Sequence, residues 1–120
     1  MTNRLFAVTF DCSNAAVLAE FWAQVLGREL DPGASTELAS IGLQQVGQTD
    51  LCWIFAKVPE GKSVKNRMHP DLIAPDLEAE VERLIGLGAS RKEDIKIESM
   101  RWSTLADPEG NEFDVIAETA

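Results

Sequence analysis

This chain repeats itself. An apolar stretch that runs into a helix cap, Ala7–Val8–Thr9–Phe10–Asp11–Cys12–Ser13–Asn14, returns as His69–Pro70–Asp71–Leu72–Ile73–Ala74–Pro75–Asp76. Asn14 answers Asp76, and Ala7 answers His69. An amphipathic helix pattern follows each cap and closes on Leu-Gly, at Leu26–Gly27 and again at Leu87–Gly88. A strand–helix unit duplicated within 120 residues predicts two half-domains sharing one core, with a ligand site in the cleft between them. The differences between the copies then carry the functional information. The first of these is His69, the only histidine, where the first copy has Ala7.

At this length the chain is read as one domain of residues 1–120, with module one at about 4–58, a linker at 59–66 and module two at about 67–118. The formal net charge is −9, from 20 acidic and 11 basic residues, and there is no basic stripe. Phosphate backbones repel such a surface, so a nucleic-acid partner is not expected. No apolar run reaches the length of a membrane span and the N-terminus lacks a basic-then-apolar leader pattern, so no membrane partner and a cytoplasmic location are expected. Cys12 and Cys52 lie far apart in apolar strands, with no Cys-x-x-Cys, and are read as buried free thiols.

Residues 4–12 read as a strand, and Asn14 as the cap of a helix whose apolar face is Val17, Leu18, Phe21, Trp22, Val25 and Leu26. Strands follow at about 36–43 and 51–58, joined by a polar loop over 44–50. In the second copy a strand over 67–74 leads to a helix over 77–87, with Leu77, Val81, Leu84 and Ile85 inward. Strands near 91–98, 101–106 and 112–118 complete it, the last two joined by the hairpin Asp107–Pro108–Glu109–Gly110–Asn111.

Strand alternation puts His69, Asp71 and Ile73 on one face and Leu72 and Ala74 on the other. The helix must cover the more apolar face. On the last strand, Phe113 and Val115 then pack inward, while Glu112, Asp114 and Ile116 share the face of His69. An imidazole beside a carboxylate is either an oriented base for acid–base catalysis or an ion pair that fixes a wall. The residues leave both open. Trp22 and Trp53 are read as core. Trp102, on the face of Thr104, is placed to stack on a planar ligand.

Asp11–Cys12–Ser13–Asn14, Leu18–Ala19–Glu20–Phe21–Trp22, Leu26–Gly27, the run Lys65–Asn66–Arg67–Met68–His69–Pro70–Asp71–Leu72 and the segment from Trp102 to Val115 occur in a familiar order. Together they resemble the vicinal oxygen chelate superfamily of glyoxalases, bleomycin-resistance proteins and dioxygenases, and within it small actinobacterial glyoxalase-like members. The resemblance implies an α+β fold: two βαβββ modules whose eight strands form a curved mixed sheet around a central cleft. It also implies a homodimer.

Metal-dependent members take one ligand from the first and one from the last strand of each module. Carried over, those positions are Ala7, His69, Ala56 and Asp114. Only His69 and Asp114 can bind a metal, and an octahedral ion needs more donors than two. Glu112, Thr9 or Asp11 would have to help. The expectation is therefore a module that holds a small organic molecule with no cofactor, a divalent metal being the alternative. The alternative function is a lyase, isomerase or dioxygenase, or a metal-free acid–base enzyme using His69 and Asp114. Thr9, Asp11, Asp71, Trp102, Thr104 and Glu112 are the expected ligand-binding residues.

Overall fold

The two helix caps build the same local structure twice. In the computed structural model, which describes residues 2–44 and 50–118, Asn14 is extended (φ −141°, ψ 99°) and its side chain accepts the Val17 N–H at 3.2 Å. Asp76 has nearly the same backbone (φ −127°, ψ 97°) and accepts the Ala79 N–H at 3.1 Å. Each cap satisfies one of the donors a helix start leaves open. The helices are α1 (Ala15–Leu26) and α2 (Leu77–Leu87). Gly27 ends α1 at φ 63°, the left-handed conformation that favours glycine.

The chain divides into two compact units at Gly61/Lys62. In the first, β1 (Ala7–Cys12), β2 (Leu38–Ile41) and β3 (Cys52–Lys57) form a sheet of order β1-β3-β2. β1 runs parallel to β3 and β2 antiparallel to it. Phe10, Trp53 and Phe55 turn one face of this sheet toward Trp22 of α1. The Trp22 ring lies 5.2 Å from that of Trp53 and 5.5 Å from that of Phe10. Trp22 and Phe55 are fully buried, so the expected core role of Trp22 and Trp53 holds. Cys12 and Cys52 are buried free thiols, as expected. Below β2, the buried Asp31 accepts hydrogen bonds from the Ser40 hydroxyl (2.7 Å) and from the Leu43 and Gln44 N–H groups, fastening the loop that precedes the strand.

The second unit has β4 (Asp71–Ala74), β5 (Ser90–Ile97), β6 (Met100–Ala106) and β7 (Glu112–Ala117) in the order β4-β7-β6-β5. β4 is parallel to β7, and the other pairs are antiparallel. Leu105, Phe113 and Val115 are fully buried, as are Val81 and Leu84 of α2. Alternation assigned Phe113 and Val115 to the helix-covered face, and helical spacing turned Val81 and Leu84 toward them. The 107–111 hairpin forms as expected, with Gly110 at φ 90° and its N–H donating to the Asp107 carbonyl.

Three expectations change. The described residues hold seven strands in sheets of three and four, so an eighth strand is not among them; residues 45–49 of the polar loop lie outside them. The first strand of the second unit begins at Asp71 rather than residue 67, and Pro70, which lacks an N–H, sits just before it. Val17 and Ile85, assigned to buried helix faces, are 58% and 43% exposed, so each apolar helix stripe is narrower than its pattern.

Candidate functional site

β7 lies between β4 and β6, and its register sets the site. Asp71 of β4 and Thr104 of β6 both stand opposite Asp114, on the face of the sheet turned away from α2. His69 lies on the run-in to β4 instead of within a strand. That run-in is tied to β7 by the Asp114 N–H, which donates to the Pro70 carbonyl at 3.0 Å. His69 Nδ1 consequently sits 2.8 Å from Asp71 Oδ1 and 3.7 Å from Asp114 Oδ2. The Thr104 hydroxyl donates to the other Asp114 oxygen, Oδ1, at 2.6 Å. One donor atom each from His69, Asp71 and Asp114 lie within 4.8 Å of one another.

The three side chains are not equally accessible. Asp114 is 17% exposed, His69 38% and Asp71 48%. The central carboxylate is therefore held by the sheet, while its two neighbours have freedom to move. Chemically the cluster offers an imidazole already oriented by a carboxylate, and a pair of carboxylates that attract a cation or a donor-rich ligand.

An apolar strip adjoins this polar row. Ile116 of β7 stands opposite both Ile73 of β4 and Trp102 of β6. Ile73 is 68% exposed and Trp102 half-buried. The same sheet face thus runs from carboxylates and imidazole to an indole and two isoleucines.

Glu112 shares this face by alternation but is already engaged. Its Oε1 accepts the Asn66 N–H at 3.3 Å, and Lys62 Nζ forms an ion pair with Oε2 at 3.0 Å. Lys62 also donates to the Val64 carbonyl. Burial pushes the Glu112 carboxyl up, but the Lys62 ammonium and the N–H groups of Glu112 and Asn66 more than offset it, leaving the carboxyl below its usual range. Glu112 therefore fastens the segment that leads to His69. Sequence reasoning missed Lys62 and Asn66 in this role, because linker composition carries no signal of which residue a loop is tied to.

In the first unit the corresponding positions are bare. The repeat that aligns Asn14 with Asp76 aligns Ala7 with His69 and Thr9 with Asp71. Thr9 pairs in register with Ile54, as Asp71 pairs with Asp114. Register therefore makes Ile54, not Ala56, the counterpart of Asp114; Ala56 is the partner of Asp11. Neither Ile54 nor Ala56 has a donor. Thr9 and Asp11 are exposed on the helix-free face of their own sheet.

A hollow of about 340 Å³ lies elsewhere, at the start of α2, lined by residues that include Ile73, Asp76, Glu80 and Arg83. Its polar groups are spent: Asp76 caps the helix, and Arg83 binds Glu80 through both carboxylate oxygens at 2.9 Å. No helix among the described residues is long and apolar enough to cross a membrane.

Comparison with known proteins gives a family and a fold. A family model described as a glyoxalase-like domain matches residues 7–116. Among solved structures, a glyoxalase/bleomycin resistance protein/dioxygenase family enzyme from Burkholderia phytofirmans PsJN superposes with a TM-score of 0.73 at 17% identity, over 96% of this chain and 98% of that one. A mutant of the genomically encoded fosfomycin resistance protein from Listeria monocytogenes, complexed with Mn(II) and 1S,2S-dihydroxypropylphosphonic acid, gives 0.74 at 12% identity, over 99% and 92%. The bleomycin-binding protein of Streptomyces verticillus, complexed with copper(II)-bleomycin, gives 0.61 at 16% identity, over 99% and 100%. At these identities the likeness shows the fold. Comparison with curated proteins gives no match.

Proposed function

We propose that this chain, which belongs to the glyoxalase-like domain family, binds a small organic molecule on the helix-free face of its second sheet. One observation carries this reading: the row His69, Asp71, Asp114 and Thr104 lies beside the apolar strip Ile73, Ile116 and Trp102. Small-ligand sites are mostly apolar surfaces with a few convergent polar groups, and this face has both. Two carboxylates in a chain of net charge −9 favour a ligand bearing a cationic or donor-rich group. The Trp102 indole supplies a surface on which a planar cation stacks. The bleomycin-binding protein that shares the fold was found with a large organic ligand, which is in keeping with this reading. Homodimerisation belongs to the same proposal and is checked by light scattering.

A metal, which the family implies, is only half provided for at the four family positions, since the two in the first unit lack donors. His69 and Asp114 suit an ion such as Mn²⁺, Fe²⁺ or Zn²⁺ by donor chemistry. When bound there, such an ion would polarise a ligand oxygen as a Lewis acid. A second reading, a metal-free acid–base enzyme, is favoured by the 2.8 Å contact between His69 Nδ1 and Asp71, which orients the ring. It replaces Asp114 with Asp71 as the closer partner of the histidine.

The test is a thermal-shift panel in EDTA with planar amines and amidines, bleomycin and fosfomycin. A cationic or planar member should raise the melting temperature, and His69→Ala and Asp114→Asn should abolish that rise while Glu82→Gln, exposed on α2, keeps it. A rise that survives both second-unit variants, or no rise with any member, would overturn the reading.

A further inference from the structure

We propose that the helix-free face of the second sheet takes an elongated lipophilic amine. Its charged head lies at His69, Asp71 and Asp114, and its apolar chain runs along Ile116, Trp102 and Ile95. This rests on the reading that the face binds an organic molecule, and it names the chemical class. Strand register carries it. Ile95 of β5 stands directly opposite Trp102, which stands opposite Ile116, which stands opposite Ile73. The apolar strip thus continues through all four strands to the outer edge of the sheet.

Burial fixes which way these side chains face. Ser103 and Leu105 of β6 are buried, so Met100, Trp102 and Thr104 alternate onto the helix-free side. Ile97 stands opposite Met100 and extends the strip toward the β5–β6 turn. Ile73, Ile97 and Met100 are 68%, 58% and 51% exposed. Large apolar side chains gathered on one open face, rather than scattered, mark a surface that binds something. Neighbouring strands lie about 4.8 Å apart, so the span from Asp114 on β7 to Ile95 on β5 is about 10 Å, the reach of roughly an eight-carbon chain.

Charge selects the head group. Glu93 stands opposite Thr104 and carries the polar row of Asp71, Asp114 and Thr104 onto β5 as well. The strip therefore has an acidic border along its length. Neighbouring cations turn to the other face: Arg91 binds Glu78 of α2, and Lys96 and Arg101 stand opposite each other, one residue out of step with Ile95 and Trp102. A fatty carboxylate is repelled by such a border, and an alkylammonium is attracted to it.

The test is calorimetric titration of the full chain in EDTA with butylamine, hexylamine, octylamine and decylamine, and with octanoate. Affinity should rise about three-fold per methylene up to octylamine, as each methylene leaves water, and then level off where the chain passes β5. Octanoate should not bind. Ile95→Ser should remove the gain from hexylamine to octylamine, Ile95→Leu should keep it, and Ile85→Ser, exposed on α2, should match the parent. Melting temperatures of the variants show that each is folded. Equal affinity for butylamine and octylamine, an undiminished gain in Ile95→Ser, or octanoate binding as tightly as octylamine would overturn the inference. No binding by any amine, while a planar amidine still raises the melting temperature, would overturn it alone. No response to either would overturn the organic-ligand reading as well.

Discussion

Glu112, expected among the ligand-binding residues, holds the segment before His69 through Lys62 and Asn66. Its carboxyl lies below the ordinary glutamate value of 4.5, because Lys62 and two N–H groups outweigh the effect of burial. A group with a lowered folded-state pKa stabilises the fold fully above its unfolded value. That contribution fades as pH falls through the lower, folded value. The melting temperature of the parent should therefore drop on acidification below about pH 4.5 more steeply than that of Glu112→Gln, which lacks this titration. Equal acid slopes would show that the Lys62–Glu112 pair is not formed in solution. Strand alternation made Asp71 and Asp114 legible on the helix-free face, whereas His69 reaches them from the run-in and not from a strand. It could not distinguish Glu112, on the same face, from a ligand-binding residue. A partner such as Lys62 comes from a loop whose path no periodicity specifies. The buried Asp31 was unreadable for the same reason, since its three donors come from a loop and an edge strand.

Elements were read best where a short-range signal fixes the backbone. Asn14 and Asp76 cap their helices with matching geometry, and each replaced by alanine should cost about 1 kcal/mol in urea denaturation. A cost near zero for either would mean that tertiary packing alone holds that helix start. The first strand of the second unit was read too long because the repeat matches the stretch around His69 to the first copy's strand, whereas here the strand is only Asp71–Ala74. Pro70 has no N–H to give a ladder, and pairing begins one residue later. That displacement matters for function. A His69 inside the strand would have its position fixed by a ladder, whereas on the run-in it depends on the Pro70 carbonyl bond to Asp114 and on the Glu112 anchor. Edge strand β5 is exposed along most of its length and carries Arg91, Lys92, Glu93, Asp94 and Lys96, with a register shift between Arg91 and Glu93. Charges and an irregular register discourage edge-to-edge pairing with other chains.

Across the whole molecule the two units have diverged in what they carry. The first concentrates aromatic packing in Phe10, Trp22, Trp53 and Phe55. The second keeps the imidazole, the paired carboxylates and a half-buried indole on one open sheet face. Duplication was legible in the sequence because caps, helices and Leu-Gly closures recur in order, and comparing the copies picked out His69. Of the eight strands that the resemblance implies, the described residues show seven, three of them in the first unit. The central claim, that the helix-free face of the second sheet is where ligand binds, is tested most directly by amide and indole chemical-shift mapping in EDTA with planar amines and amidines, benzamidine first. Shifts are expected at Asp71, Thr104 and Asp114 and at the Trp102 indole N–H. Shifts confined to α2 and the hollow at its start, or none across the panel, would contradict this.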